Sequence, residues 1–143
     1  MRILLVNNGT RHLRRLESCI RSEFPKAEIM VREWNDLARI SPAPNLVILS
    51  GSSKFALQYH KKEFAREMAL VKKSHVPVLG ICFGCELIAK TFGGTLRLLP
   101  KREKGILSVE VKKWRPFFGK TRKFKVYEGH RWMIDKLPKK FHE

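Results

Sequence analysis

Short apolar runs that alternate with helical patterns constrain this chain more than any other feature of its sequence. Ile3-Leu4-Leu5-Val6 and Leu46-Val47-Ile48-Leu49 are unbroken apolar stretches, each closed by turn residues, Asn7-Asn8-Gly9 and Ser50-Gly51-Ser52-Ser53. Such runs describe strands buried on both faces. Glu28 to Arg32 and Val76-Pro77-Val78-Leu79 read as two further strands, and Pro42 and Pro44 break the chain before the third. Between the strands, Leu13, Leu16, Ile20 and Phe24 fall at helical spacing, with Thr10 as the expected N-cap and Pro25 as the stop. Helical character is also expected from Gln58 to Lys73, with Phe64, Met68 and Val71 on one side, and from Glu86 to Phe92, ending at Gly93-Gly94. Strands alternating with helices imply βαβ crossovers, hence an α/β fold with a parallel sheet flanked by helices.

After Gly94 the pattern changes. Thr95 to Leu99, Gly105 to Val111 and Lys123 to Glu128 read as strands separated by loops at Pro100–Lys104 and Pro116–Arg122, which implies an antiparallel β extension. The expectation is one domain over residues 1–143, with a βαβ core at 1–94 and a basic β-rich part at 95–143. Residues 1–96 carry 15 basic and 8 acidic side chains, residues 97–143 carry 15 and 5, and the whole chain has a formal net charge of +17. A field of that sign attracts phosphate-rich or acidic partners, so residues 97–143 are a candidate surface for an anionic partner; a solvated basic face is the simpler account. No apolar run reaches the ~20 residues that cross a bilayer, and no signal-peptide pattern follows Met1, so the chain is expected to be cytoplasmic and without membrane contact. Cys19, Cys82 and Cys85 are an odd set expected to stay reduced.

The stretch that carries chemistry is Val78-Leu79-Gly80-Ile81-Cys82-Phe83-Gly84-Cys85-Glu86. A strand runs into Gly-x-Cys-x-Gly at the opening of a helix, the cysteine version of the strained turn that lifts a nucleophile to the carboxyl edge of a sheet. Glycines are needed where side chains would collide with the neighbouring strand or helix. A helix N-terminus favours thiolate, and backbone N–H groups there can receive an oxyanion. A buried cysteine in a Gly-containing loop is the alternative on spacing alone. A metal site or a redox pair built on Cys82 and Cys85 is weakly signalled, since no second pair of ligands is spaced to match.

Gly80-Ile81-Cys82-Phe83-Gly84-Cys85-Glu86-Leu87-Ile88-Ala89 with Phe92-Gly93-Gly94 resembles the Gly-Ile-Cys-x-Gly-His-Gln-x-(Ile/Leu)-Ala…Gly-Gly signature of class I (triad) glutamine amidotransferases. Leu46 to Gly51 is similar to that family's strand into Ser-Gly-Gly-Pro. Arg102-Glu103-Lys104-Gly105 and Val126 to Ile134, followed by Leu137-Pro138, resemble the Glu-Tyr-Gly and Ser-His-Gly-Asp…Leu-Pro segments of the glutaminase part of GMP synthetases. The resemblance implies a flavodoxin-like fold and hydrolysis of glutamine to glutamate and ammonia through a cysteine thioester, without a cofactor or metal. The ammonia would pass to a synthetase subunit of the ATP-pyrophosphatase type. It assigns Cys82 as nucleophile, the N–H groups of Gly51 and Phe83 as oxyanion donors, and Gly84, Glu86, Gly129, His130, Arg131 and Trp132 to substrate binding.

The chain also departs from that pattern. Cys85-Glu86 stands in place of His-Gln, and a carboxylate accepts hydrogen bonds but donates none unless protonated. Ser52-Ser53 replaces Gly-Pro in the oxyanion loop, and Trp132 stands where Asp is expected. The family's catalytic His and Glu come well beyond the segment matching His130, whereas here His142 and Glu143 end the sequence. These two are the candidate base and orienter, with an exposed tail as the simpler reading, and His130 is a second candidate base. Two functions are therefore open: a glutamine amidotransferase working with a synthetase, or an impaired or truncated relative that serves as an interaction module for an anionic partner.

Overall fold

The computed structural model describes residues 1–111, 121–139 and 141, in two compact units, Met1–Gly93 and Gly94–Glu143. In the first unit four strands, β1 (Arg2–Asn7), β2 (Glu28–Glu33), β3 (Leu46–Leu49) and β4 (Val78–Gly80), form a parallel sheet in the order β2-β1-β3-β4. Its helices are α1 (Leu13–Glu23), α2 (Leu57–His60), α3 (Ala65–Lys73) and α4 (Phe83–Thr91). β1 lies between β2 and β3, with Leu5 opposite both Val31 and Ile48, which is why Ile3 to Val6 are fully buried and read as an unbroken apolar run.

Alternation along β1 and β3 sends Ile3, Leu5 and Ile48 to one face, where Ile20, Leu13 and Leu16 of α1 pack against them. Leu4, Val6, Val47 and Leu49 take the other face. On that side α4 packs against β3 and β4, and the buried rings of Phe64 and Phe83 stand 4.8 Å apart, with Trp34 4.6 Å from Phe64. Each fully buried Leu or Phe contributes about 1.5–3 kcal/mol relative to an exposed one.

Several boundaries differ from the sequence reading. Thr10 does not cap α1: Asn7 Oδ1 accepts the N–H groups of Gly9 and Thr10, so the chain is still turning there, and His12 holds the cap position. The single helix expected over Gln58–Lys73 is two, because the chain breaks at residues 61–64 to insert Phe64 among Trp34, Phe55 and Phe83. Strand β4 begins at Val78, since Pro77 has no N–H to give a ladder and contributes only its carbonyl, to Val47 N–H. Helix α4 opens at Phe83, three residues before the expected start.

The second unit is an antiparallel ribbon of two long strands, β5 (Thr95–Glu110) and β6 (Lys123–Lys136). The loop expected at Pro100–Lys104 is an irregularity inside β5, where the register shifts between Leu98 and Glu103, and Gly129 to Trp132 lie within β6. Register gives the ribbon two unlike faces. Leu96, Leu98, Leu107 and Val109 pair with Ile134, Trp132, Val126 and Phe124, while Arg97, Lys104, Lys123, Lys125 and Arg131 fall on the other face with Ile106 and Tyr127. Among the described residues no helix is long and apolar enough to cross a membrane.

The close packing of α4 yields a test. A Cβ at Gly80 would lie 2.5 Å from backbone atoms of Gly84 and Cys85, whereas one at Gly93 meets nothing within 4 Å. Gly80→Ala is expected to cost about 3 kcal/mol or more by urea denaturation, and Gly93→Ala only the 1–2 kcal/mol or so of its left-handed backbone. Equal midpoints for the two variants would contradict this packing.

Candidate active site

Asn7-Asn8 and Ser50-Gly51 follow the carboxyl ends of β1 and β3, where the strand order β2-β1-β3-β4 reverses, the point in an open α/β sheet where ligands bind. Cys82 stands beside it, at the N-cap of α4, with φ 50° and ψ −106°. It is the one non-glycine residue with positive φ among the described residues, and its side chain is exposed. That strain is sustained by two close approaches: Gly80 against the first turn of α4, and Gly84 against β3, where a Cβ would come within 2.5 Å of Leu49 O. Gly51 adjoins Cys82 as well, since a Cβ built on it would lie 3.6 Å from the Cys82 Cβ. The Phe83 ring is buried against Phe64, which anchors the start of α4 directly behind Cys82.

The Ser50–Ser53 turn is held from several sides. Ser50 Oγ accepts Asn8 N–H at 2.8 Å and donates to Gly51 O at 2.8 Å. Ser52 Oγ accepts the N–H groups of Lys54 and Phe55, and Ser53 is tied to the β1–α1 turn through Gly9 O and Arg11 N–H. Ser52-Ser53 thus supplies, with side-chain hydrogen bonds, a pinned loop where the related pattern has Gly-Pro.

Glu86 is 8 % exposed in the first turn of α4, and burial raises its carboxyl to about 7 despite the favourable helix end. Below that pH it is neutral and carries an O–H, a donor that a carboxylate lacks. Cys85 is exposed, yet partial desolvation of its thiol and the neighbouring Glu86 charge push it above the ordinary thiol range. Deeper in the same unit lies Glu67, fully buried, with burial raising its carboxyl to about 7 against the lowering effect of its hydrogen bond from Asn8.

Gly51, Cys82, Phe83, Gly84 and Glu86 therefore come together at one sheet edge. Gly129, His130, Arg131 and Trp132 belong to the second unit, where Arg102 donates to Gly129 O at 3.1 Å and Trp132 pairs with Leu98. His130 is a strand residue, not a loop one: its Nε2 is 3.5 Å from Glu103 and its Nδ1 3.4 Å from Glu128. These three side chains place one ligand atom each within 4.8 Å of one another, with one carboxylate against each imidazole nitrogen. His142 and Glu143 lie outside the described residues. The sequence reading missed Asn8 and Glu67. Glu67 sits three residues after Phe64 and four before Val71, so it occupies the apolar stripe of its helix, and that position was the available signal.

The strained cysteine turn at the switch point places the chain among α/β proteins that present a cysteine between a strand and a helix. The match to the family model "Glutamine amidotransferase class-I" spans residues 4–143, and the chain belongs to that family. It is 30% identical over 148 residues to a glutamine-hydrolysing GMP synthase subunit of Pyrococcus furiosus, covering 97% of this chain and 73% of that protein. It is 32% identical over 144 residues to GMP synthase of Nitrobacter hamburgensis, covering 98% of this chain and 26% of that protein. The chain therefore spans about a quarter of the full-length GMP synthases it matches. A glutamine amidotransferase structure from Thermotoga maritima superposes with a TM-score of 0.77 at 25% identity, covering 97% of this chain and 64% of that one. A Thermoplasma acidophilum structure shares the fold, with a TM-score of 0.84 at 22% identity over 97% of this chain and 69% of that one.

The two raised carboxyls set the pH dependence of stability. Each binds its proton more tightly folded than unfolded, so their contribution is fully present below the unfolded value of 4.5 and is lost as pH rises to about 7. For Glu67 the loss is on the order of 3 kcal/mol. The urea midpoint is expected to fall from pH 5 to pH 8, and Glu67→Gln is expected to remove much of that slope; a wild-type midpoint that is flat over this range would count against both burials.

Proposed function

We propose that this chain is the glutaminase part of an ammonia-transferring enzyme, nearest in kind to the glutamine-hydrolysing subunit of GMP synthases. The observation that carries the reading is Cys82, held at positive φ on the strand-to-helix turn with Gly51 against it. Its Sγ attacks the side-chain amide carbon of glutamine, the C–N bond breaks, the nitrogen takes up the thiol's proton and leaves as ammonia, and a thioester remains. Water then attacks the thioester, the S–C bond breaks, and glutamate leaves as the thiol regains its proton. The oxyanion of each tetrahedral step falls to the N–H groups of Gly51 and Phe83, with the positive end of α4 behind it. Glu86, neutral below about pH 7, serves as the donor that a glutamine would be at this position. Gly84 serves the site by letting the first turn of α4 seat against Leu49, which holds Cys82 in place.

The proton relay falls to His142 and Glu143 or to His130. The ammonia acceptor is a synthetase subunit, of the kind that activates a nucleotide with ATP. Glutamate release from glutamine, measured alone and with a GMP-synthase-type synthetase subunit, is expected to be present in the wild type and to fall to the uncatalysed background in Cys82→Ala. His142→Ala and His130→Ala then identify the relay by which of them loses activity. Release that survives Cys82→Ala, or none under any condition, refutes the reading.

One observation favours a second role. The ribbon register collects Arg97, Lys104, Lys123, Lys125 and Arg131 on one face with exposed Tyr127 and Ile106, and among the described residues only Glu110 and Asp135 oppose them there. That face fits an anionic partner of the chain, with single-stranded RNA as a probe because phosphates and a stacking surface are both matched. Fluorescence anisotropy with a labelled oligoribonucleotide is expected to show binding that weakens with salt, and Lys104→Glu/Lys123→Glu/Lys125→Glu is expected to weaken it at least tenfold and flatten the salt slope. Binding unchanged in the triple variant excludes this face.

A further inference from the structure

We propose that Glu67 is a positioning residue that fixes, through Asn8, the Ser50–Gly51 turn beside Cys82. The inference rests on the reading of Gly51 N–H as an oxyanion donor. Glu67 lies on α3, outside the Gly-x-Cys-x-Gly turn, and has no exposed surface. Its Oε1 accepts one amide hydrogen of Asn8 at 3.0 Å, and the other goes to Ser50 O at 3.1 Å. Both hydrogens of the Asn8 amide are thereby committed, which fixes the plane of that side chain. The Asn8 backbone N–H is bound in turn by Ser50 Oγ at 2.8 Å, and the Ser50 hydroxyl hydrogen goes to Gly51 O at 2.8 Å. A continuous line of donors and acceptors thus runs from α3, through the end of β1, to the residue that adjoins Cys82.

Helix packing alone does not call for a carboxyl here. A fully buried carboxyl is costly, and Glu67 keeps one oxygen, Oε2, without a hydrogen-bond partner among the described residues, as Asn8 keeps its Oδ1. Leucine at position 67 would suit the surroundings of Phe64 and Val71 better. What Glu67 adds is a defined seat for Asn8 at the sheet's switch point. Since misplacing a reacting group by about 1 Å costs on the order of a hundredfold in rate, a loosened Gly51 turn acts on the chemical step.

The test compares Glu67→Gln, which keeps the acceptor for Asn8, with Glu67→Leu, which removes it and keeps the volume. In Glu67→Leu, kcat for glutamate release is expected to fall at least tenfold with KM within twofold of the wild type, while the urea midpoint at pH 8 holds or rises. In Glu67→Gln, kcat is expected to stay within about threefold. Amide hydrogen exchange gives a readout that needs no activity: protection of the Asn8 N–H is expected to drop in Glu67→Leu and to hold in Glu67→Gln. Wild-type Asn8 protection and Gly51 amide shifts in Glu67→Leu would overturn the inference whether or not the chain releases glutamate. So would a kcat lost only in proportion to the unfolded fraction. A wild type without Cys82-dependent activity refutes the glutaminase reading alone and leaves the exchange measurement to decide the role of Glu67.

Discussion

Two backbone approaches too close for any side chain make the rest of the first unit possible. Gly84 brings the first turn of α4 against Leu49 of β3, and Gly80 lets the end of β4 pass within van der Waals range of the same turn. Only with both in place does the chain reverse from strand to helix within two residues, and the cost falls on Cys82, which is held at φ 50°. The surrounding core over-determines that strain: Leu49, Leu87 and Phe83 are buried against one another's elements, and the Phe64–Phe83 contact ties α4 to the segment leading into α3. A residue in an unfavourable conformation on well-packed walls has little freedom to relax, which is what a preorganised reactive group requires.

Polar groups at the sheet's carboxyl edge follow a different logic from the apolar strands that deliver them. Asn7 and Asn8 stand at the end of β1 with side chains shared between backbone groups and carboxyls: Asn7 closes the turn into α1 and donates to Glu33, and Asn8 bridges Ser50 O and Glu67 of α3. The turn after β3 answers with Ser50, Ser52 and Ser53, each hydrogen-bonded locally or across to β1. Buried carboxyls at Glu67 and Glu86 sit within this polar layer and are neutral over the lower part of the physiological range, so the layer carries less charge than its composition indicates.

The strands of the first unit were legible in the sequence because burial on both faces leaves an unbroken apolar signature, and the Gly-x-Cys-x-Gly turn because close approach excludes every other residue type. Less legible were the places where a local signal competed with a tertiary one. Thr10 is a good N-cap by type and its Oγ1 accepts the His12 N–H, but that bond closes a turn ahead of the helix, whose cap position falls at His12. The Gln58–Lys73 pattern is helical throughout, yet seating the Phe64 ring in the aromatic cluster breaks the helix into two. Pro100–Lys104 reads as a loop, but the ribbon takes the segment in with a register shift, which an antiparallel pair tolerates at the cost of a few ladder bonds.

The sequence by itself determined the parallel α/β core, the cysteine at its turn, the basic character of the C-terminal part and the family to which the chain belongs. These are set by periodicity, residue type and charge, which are properties of short segments. Only the tertiary structure decided that Glu67 meets Asn8, that His130 stands between Glu103 and Glu128, and that Arg97, Lys104, Lys123, Lys125 and Arg131 share one face of the ribbon. The first joins residues 59 positions apart through the seating of α3 at the end of the sheet, and the other two depend on the register of β5 against β6; no local pattern encodes a hydrogen bond whose two ends are chosen by the packing of the whole.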